Sequence, residues 1–260
     1  MKILNTKALQ SAFYTLIVLT ATAYALPVNS QQEERRIKDM IELPAYSTNK
    51  NEQIIFHKAY TTSYNSKHKI PNWVAWRLTK KNTSGKVSRY KTFLADPLVK
   101  GYCPEHKDYS NSGYDRGHMC PAMDNKWSQT AMKECFYMSN ICPQKNELNN
   151  GRWKKLEERC HYWAKKYDEI YIVCGPVIDK EMNKTIGKRK ISVPEKFFKA
   201  ILRQTDKETV CIGYVFTQKN VATAVSVDDI EKMTGLDLFH NLPDNLEEKI
   251  ESKFNERDWR

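Results

Sequence analysis

No apolar run in this chain is long enough to cross a bilayer. The longest, Ala12 to Ala23, falls short of the roughly 20 residues a spanning helix needs and is interrupted by threonines. With Lys2 and Lys7 ahead of it and Ala23-Tyr24-Ala25 behind it, the run has the charge, length and small-x-small ending of a secretory signal peptide over residues 1–25. No cysteine stands at the expected cut, so a lipid anchor is not indicated and no membrane attachment is expected after cleavage. The chain also lacks internal repeats, low-complexity segments and a second run of elements that would make a second domain. Acidic residues are in deficit, 31 against 42 lysines and arginines, for a formal charge of +11. Loss of Lys2 and Lys7 with the leader leaves +9, enough to draw in polyanions at low salt.

Residues 26–53 are polar and charged around Pro27 and Pro44 and read as a leader arm, so a single domain is expected over 54–260. An exported protein, secreted or periplasmic, meets an oxidising compartment, and all seven cysteines lie in the exported part. Disulfides are therefore expected, with at least one thiol left over. Cys174, inside Ile170-Tyr171-Ile172-Val173-Cys174, has the surroundings of a buried free thiol.

Apolar periodicity predicts strands over 53–60, 73–78, 134–141, 169–177, 196–202 and 210–216, rich in β-branched and aromatic residues. From Asn149 to Tyr167 the period changes. Trp153, Leu156, Cys160, Trp163, Ala164 and Tyr167 recur at steps of three and four, which predicts an amphipathic helix. Ser226-Val227-Asp228-Asp229 starts another, expected to run to about Phe239 across Gly235. Strands with interspersed helices around one sheet make an α+β fold.

The chemistry concentrates in two segments, Asp115-Arg116-Gly117-His118 and Leu148-Asn149-Asn150-Gly151-Arg152-Trp153-Lys154-Lys155-Leu156-Glu157. An imidazole with an ordinary pKa near 6.5 can take a proton from water at neutral pH, which makes His118 a candidate general base. Its protonation predicts a rate that falls below roughly pH 6. A magnesium-type ion asks for oxygen ligands and keeps most of its waters, so one amide and one nearby carboxylate suffice, and Asn149 and Glu157 supply them. Eight residues apart on a helix, they are offset by about 80° and two turns. Arg116, and Arg89 on an upstream strand, are candidates to clamp phosphate oxygens.

Together with Met138-Ser139-Asn140-Ile141-Cys142-Pro143-Gln144, Ile172-Val173-Cys174-Gly175-Pro176 and Gly235-Leu236-Asp237-Leu238-Phe239, these segments resemble the DNA/RNA non-specific endonucleases over roughly residues 54–242. The resemblance implies a ββα-metal finger on a mixed central β-sheet with flanking helices. It implies Mg²⁺, or Mn²⁺ or another divalent ion, held by Asn149, with Glu157 bound to its water and His118 as base. Asn140 would stand beside the scissile phosphate, and Arg116 and Arg89 would contact DNA or RNA through the phosphate backbone. Where relatives often carry an arginine one turn after the glutamate, this chain has His161. Homodimers occur in the family, but no feature of the sequence predicts one. No recognition-helix motif is present, so cutting would be weakly selective, since phosphate contacts position a duplex without reading it.

Two other readings use the same residues. Cys103-x-x-His106 and His118-x-Cys120 have ligand-like spacing for a zinc-stabilised nucleic-acid-binding module. A catalytically inactive relative would bind nucleic acid without cutting it.

Overall fold

In a computed structural model that describes residue 37 and residues 39–45, 52–179 and 182–260, apolar side chains alternate along each long strand and sort the chain into two cores. The strands are β1 (Glu52–Phe56), β2 (Thr61–Asn65), β3 (Ile70–Thr79), β4 (Asp115–His118), β5 (Ile141–Gln144), β6 (Glu169–Pro176), the short β7 (Thr185–Ile186) and β8 (Ile191–Ser192), β9 (Lys196–Gln204), β10 (Thr209–Thr217) and β11 (Ala222–Val225). The helices are α1 (Gln129–Glu134), α2 (Lys154–Tyr167), α3 (Val227–Thr234) and α4 (Asp244–Glu251). Among the described residues, seven strands form one sheet in the order β1-β2-β3-β6-β9-β10-β11, antiparallel at every pairing. The α+β class is as expected, while the sheet is antiparallel where a mixed one was expected.

On one face of the sheet Val74, Trp76 and Leu78 of β3, Ile170, Ile172 and Cys174 of β6, and Phe197 and Ile201 of β9 pack with Leu156, Cys160 and Trp163 of α2. The intervening residues Trp73, Ala75, Tyr171, Val173, Phe198, Ala200 and Leu202 face the other way, against Val227 and Ile230 of α3 and Ile250 of α4. Each large apolar side chain buried here contributes about 1.5–3 kcal/mol. The strand period thus commits α2 to one face and α3 and α4 to the other.

Several expectations are corrected. The strand expected over 53–60 ends at Phe56, where the chain turns and returns from Thr61 as the unexpected β2, whose polar Thr61-Thr62-Ser63-Tyr64-Asn65 is wholly buried between β1 and β3. The strand expected over 134–141 is absent: Glu134 ends α1, Met138–Asn140 is a 3₁₀ turn, and β5 begins only at Ile141, with Pro143 inside it opposite Arg116 in a two-stranded ribbon where its missing N–H costs little. Helix α3 stops at Thr234, because Gly235 takes a left-handed conformation (φ 70°) and its N–H bonds back to Glu231 O at 2.7 Å. The tail holds α4 and a 3₁₀ turn at Glu256–Trp259.

The end of the leader arm belongs to the folded body. Ile37 and Leu43 are buried in the second core, Asn241 Nδ2 donates to the carbonyls of Ile37 and Met40, and Ala45 N–H bonds to Asp237 O. The domain therefore begins before residue 54. The expected signal peptide, 1–25, lies outside the described residues. No helix among the described residues is long and apolar enough to cross a membrane.

All seven cysteines are free and buried, which corrects the expected disulfides. Each acts as a small core residue. Cys135, Cys174 and Cys211 donate to the carbonyls of Met132, Met119 and Ile250, while the sulfurs of Cys103 and Cys120 accept from Asp96 N–H and Asn125 Nδ2.

Candidate active site

Strand β4 and strand β5 pair with Arg116 opposite Pro143 and His118 opposite Ile141, and the chain after β5 turns into the α2 segment. The two strands and the helix make the expected ββα finger. Period two puts Arg116 and His118 on one side of β4. Gly117 between them leaves room for Gln144, since a Cβ there would come within 2.1 Å of Gln144 Oε1. Trp153 fastens the finger to the sheet. Its ring stands edge-on to Phe197 and Phe216, with centroids at 5.9 and 5.2 Å, and its Nε1–H donates to His118 O at 3.1 Å.

The helix is not continuous over 149–167. One turn at Asn146–Leu148 leads into a π-turn, Asn149–Trp153, bent at Gly151 (φ −100°, ψ −118°), and regular α-helix begins only at Lys154. The simple 80° offset between Asn149 and Glu157 therefore does not hold. π-turns commonly mark functional positions because they re-aim a side chain. The β10–β11 connection clamps this turn, with Asn220 Oδ1 accepting from Arg152 N at 2.9 Å and Gln218 bonded to Lys145 N and Pro143 O.

A cleft of about 290 Å³ lies over the finger, lined by Arg89, Arg116, His118, Asn149, Lys154 and Glu157 among others. Five of the six expected site residues meet there. Asn140 does not. Its fully buried amide accepts from Cys120 N–H at 2.9 Å and donates to Cys120 O and Cys135 O at 2.9 and 2.8 Å, using its side chain to fix the turn that follows His118. We expect Asn140→Ala to destabilise the protein by about 3 kcal/mol or more in urea unfolding, because three buried backbone groups lose their partner. A variant as stable as the parent would refute this clamp.

Arg89 reaches the cleft from a loop, not a strand. The loop is held at both ends by Val87 N–H to Lys126 O and by the Leu94–Tyr137 bridge. Its guanidinium stacks on Phe136 at 4.9 Å, and that of Arg116 on Phe93 at 5.3 Å. The same two rings flank His118, with centroids at 5.3 Å for Phe93 and 4.8 Å for Phe136. Phe93 and Phe136 thus fix the imidazole and both cations together. Phe93 sits in no motif, so the sequence carried no signal for it.

Burial, and then the nearby Arg89 charge, push the His118 ring down to about 3. Its Nε2 is buried and has no hydrogen-bond partner. The ring is therefore neutral across the ordinary pH range, and an acid limb near pH 6 does not follow from its protonation. Glu157 moves the other way, to about 7, chiefly through burial and secondarily through Asp124, against the opposing pull of Lys199.

Asp115 bonds to the amide nitrogens of Asn146, Asn149 and Asn150, at 2.9, 3.0 and 3.5 Å. A carboxylate only accepts, so Asn149 must present its Nδ2 to Asp115 and is left with its oxygen free to ligate. An amide oxygen and a nearby carboxylate, with no thiol or second imidazole on the cleft wall, suit a hard, hydrated divalent ion such as Mg²⁺. The zinc alternative fails on placement. Cys103 Sγ accepts from Asp96 N–H, His106 lies against Phe93, and these two do not gather with His118 and Cys120.

His161 does not replace an arginine at the phosphate. Its Nδ1 bonds to Asp124 Oδ1 at 3.2 Å, while Trp76 Nε1–H holds the other carboxylate oxygen. Arg159 stacks on Trp163 and Tyr214, on another side. The third cation of the cleft is Lys154, three residues before Glu157 and so on its helix face, a spacing the sequence already carried.

Residues 39–245 match the DNA/RNA non-specific endonuclease family. Over 206 residues the chain is 35% identical to the mitochondrial nuclease EXOG of Danio rerio, covering 71% of this chain and 60% of that one. It is 32% identical to a nuclease of Serratia marcescens, covering 78% and 80%. The chain spans less than two-thirds of the mitochondrial relatives from zebrafish, mouse and Xenopus laevis (60%, 56% and 57%). A solved structure of the EndoG/EndoGI complex superposes with a TM-score of 0.71 at 26% identity, covering 85% of this chain and 96% of that one.

Proposed function

Because the chain belongs to the DNA/RNA non-specific endonuclease family, we propose that it is an exported, Mg²⁺-dependent endonuclease that hydrolyses phosphodiester bonds of DNA and RNA with little sequence preference. The observation that carries this reading is the convergence of a neutral imidazole, an oxygen-presenting amide, a carboxylate and three cations on one cleft.

His118 takes the proton from the attacking water, its neutral ring held in place by Phe93 and Phe136. Asn149 would hold a divalent ion through its oxygen, and Glu157 would accept hydrogen bonds from the water around that ion. When bound, a divalent ion neutralises charge on the phosphate and helps the leaving oxygen depart. Arg89, Arg116 and Lys154 receive the phosphate oxygens, two of them pre-oriented by stacking on aromatic rings. These contacts address the backbone and not base edges, which accounts for weak selectivity. The leader over residues 1–25 directs export in this reading.

Mature protein starting at Leu26, stripped of metal with EDTA, is incubated with circular DNA and with RNA, with and without added Mg²⁺. We expect open and linear DNA and degraded RNA only after Mg²⁺ is restored. A circle left intact with Mg²⁺, or cut in excess EDTA, would overturn the reading.

A further inference from the structure

The second face of the sheet holds an acidic site remote from the cleft. Asp228 and Glu231 lie three residues apart on α3, and Glu251 ends α4. One carboxylate oxygen from each lies within 4.8 Å of the others. Glu251 is 3% exposed, and its Oε1 is buried without a hydrogen-bond partner. Burying such an oxygen is costly unless something positive or a proton meets it.

We propose that Asp228, Glu231 and Glu251 form a second divalent-cation site, suited to a calcium-sized ion, that ties α3 to α4.

The donor set and its spacing favour this ion class. All three donors are hard carboxylate oxygens, with no histidine or thiol among them. Calcium binds oxygen at roughly 2.3–2.6 Å, so ligands of one ion stand at most about 4.6–5.2 Å apart, and the three oxygens, all within 4.8 Å of one another, meet that limit.

The surroundings add negative charge rather than cancel it. Asp237 and Glu247 bear on the same cluster, and burial with this mutual repulsion pushes Glu251 up to about 9 and Glu231 and Glu247 to about 7. Lys232, close to Glu231, is exposed and leans toward Asp229 at 3.7 Å. Glu231 is already oriented, since its Oε1 accepts Leu238 N–H at 2.6 Å. The end of α4 is tied to β10, where Cys211 Sγ–H donates to Ile250 O at 3.1 Å. The helices themselves are anchored on the sheet through Val227, Ile230 and Ile250, so an ion would find donors already in place.

Calorimetric titration of the full chain with CaCl₂ near pH 7.5, on metal-free protein carrying Asn149→Ala to silence the cleft, tests the site. We expect one equivalent of Ca²⁺ to bind and to raise the melting temperature. Asp228→Asn and Glu251→Gln should each weaken binding by at least about tenfold, a loss that even supporting residues of metal sites produce. Circular dichroism confirms that each variant is folded. Asp228, half-buried at the rim, serves as the second variant should Glu251→Gln fail to fold. No Ca²⁺ binding in the Asn149→Ala protein, or binding undiminished in folded Asp228→Asn, would overturn the proposal and leave the cluster held by shared protons. Neither outcome touches the nuclease reading, which is decided at the other face of the sheet.

Discussion

Replacing His118 with alanine is expected to lower kcat on circular DNA by roughly 10²- to 10⁴-fold, the usual contribution of a positioned general base. KM should change little, because the phosphate is received by Arg89, Arg116 and Lys154, which the substitution leaves in place. An effect confined to KM would mean that the ring binds substrate instead of moving a proton. The pH profile sharpens the test. With the ring pushed down to about 3, falling pH from 8 to 5 does not protonate His118. Glu157, near 7, does take up a proton in that range and so gives up its negative charge and one of its two acceptor oxygens, weakening the hold on hydrated metal proposed for it. The acid limb is therefore expected near neutrality, moving to lower pH as Mg²⁺ is raised, since cation and proton compete for one carboxylate. In Glu157→Gln, slow as it is, the limb should be absent. A limb near pH 6 that persists in Glu157→Gln would return the titration to His118 and contradict the buried ring.

The motif residues were legible because each chemical task restricts the residue type. A neutral-pH base, an oxygen ligand and a carboxylate leave few choices, and their order in the chain is visible without coordinates. The strands of the sheet were legible from alternation, as in β9, where Phe197, Lys199 and Ile201 share one face and Phe198, Ala200 and Leu202 the other. Asn140 was misplaced because a buried amide clamping three backbone groups is spelled the same way as one touching substrate. β2 was missed because its polar residues are buried by pairing on both sides, not by apolar pattern. The π-turn at Asn149 has no periodic signature over five residues. Phe93, Phe136, Asp124 and Lys199 lie outside the motif segments, and contact across many residues is what makes them part of the site.

Of these, Lys199 carries the second large expectation. It is fully buried on β9, its ammonium lies 4.3 Å from the Trp153 ring and 5.4 Å from Trp76, and its Nζ has no hydrogen-bond partner. Burial alone would pull such a lysine down. The surrounding groups more than restore it. The thiols Cys174 and Cys160 are themselves pushed up to about 12 and beyond and stay neutral at pH 7, so the restoring charge must come from Glu157 and Asp124. The lysine in turn keeps Glu157 from climbing further. We expect Lys199→Met to cost on the order of 3 kcal/mol in urea unfolding, because two carboxylates are left in the core without their countercharge. The sign with pH follows from Glu157, whose folded pKa lies above its ordinary value. Its ionisation costs stability as pH rises from about 4.5 through 7, and without Lys199 that cost grows, so the variant should lose more at pH 8 than at pH 5. In the same variant Glu157 should ionise at higher pH, carrying the acid limb of the rate upward and sparing kcat only at alkaline pH. Lys199→Met combined with Asp124→Asn should recover part of the stability, more than the sum of the single effects allows. Equal losses at both pH values together with an unmoved limb would show that Lys199 serves packing alone and has no hold on the catalytic carboxylate.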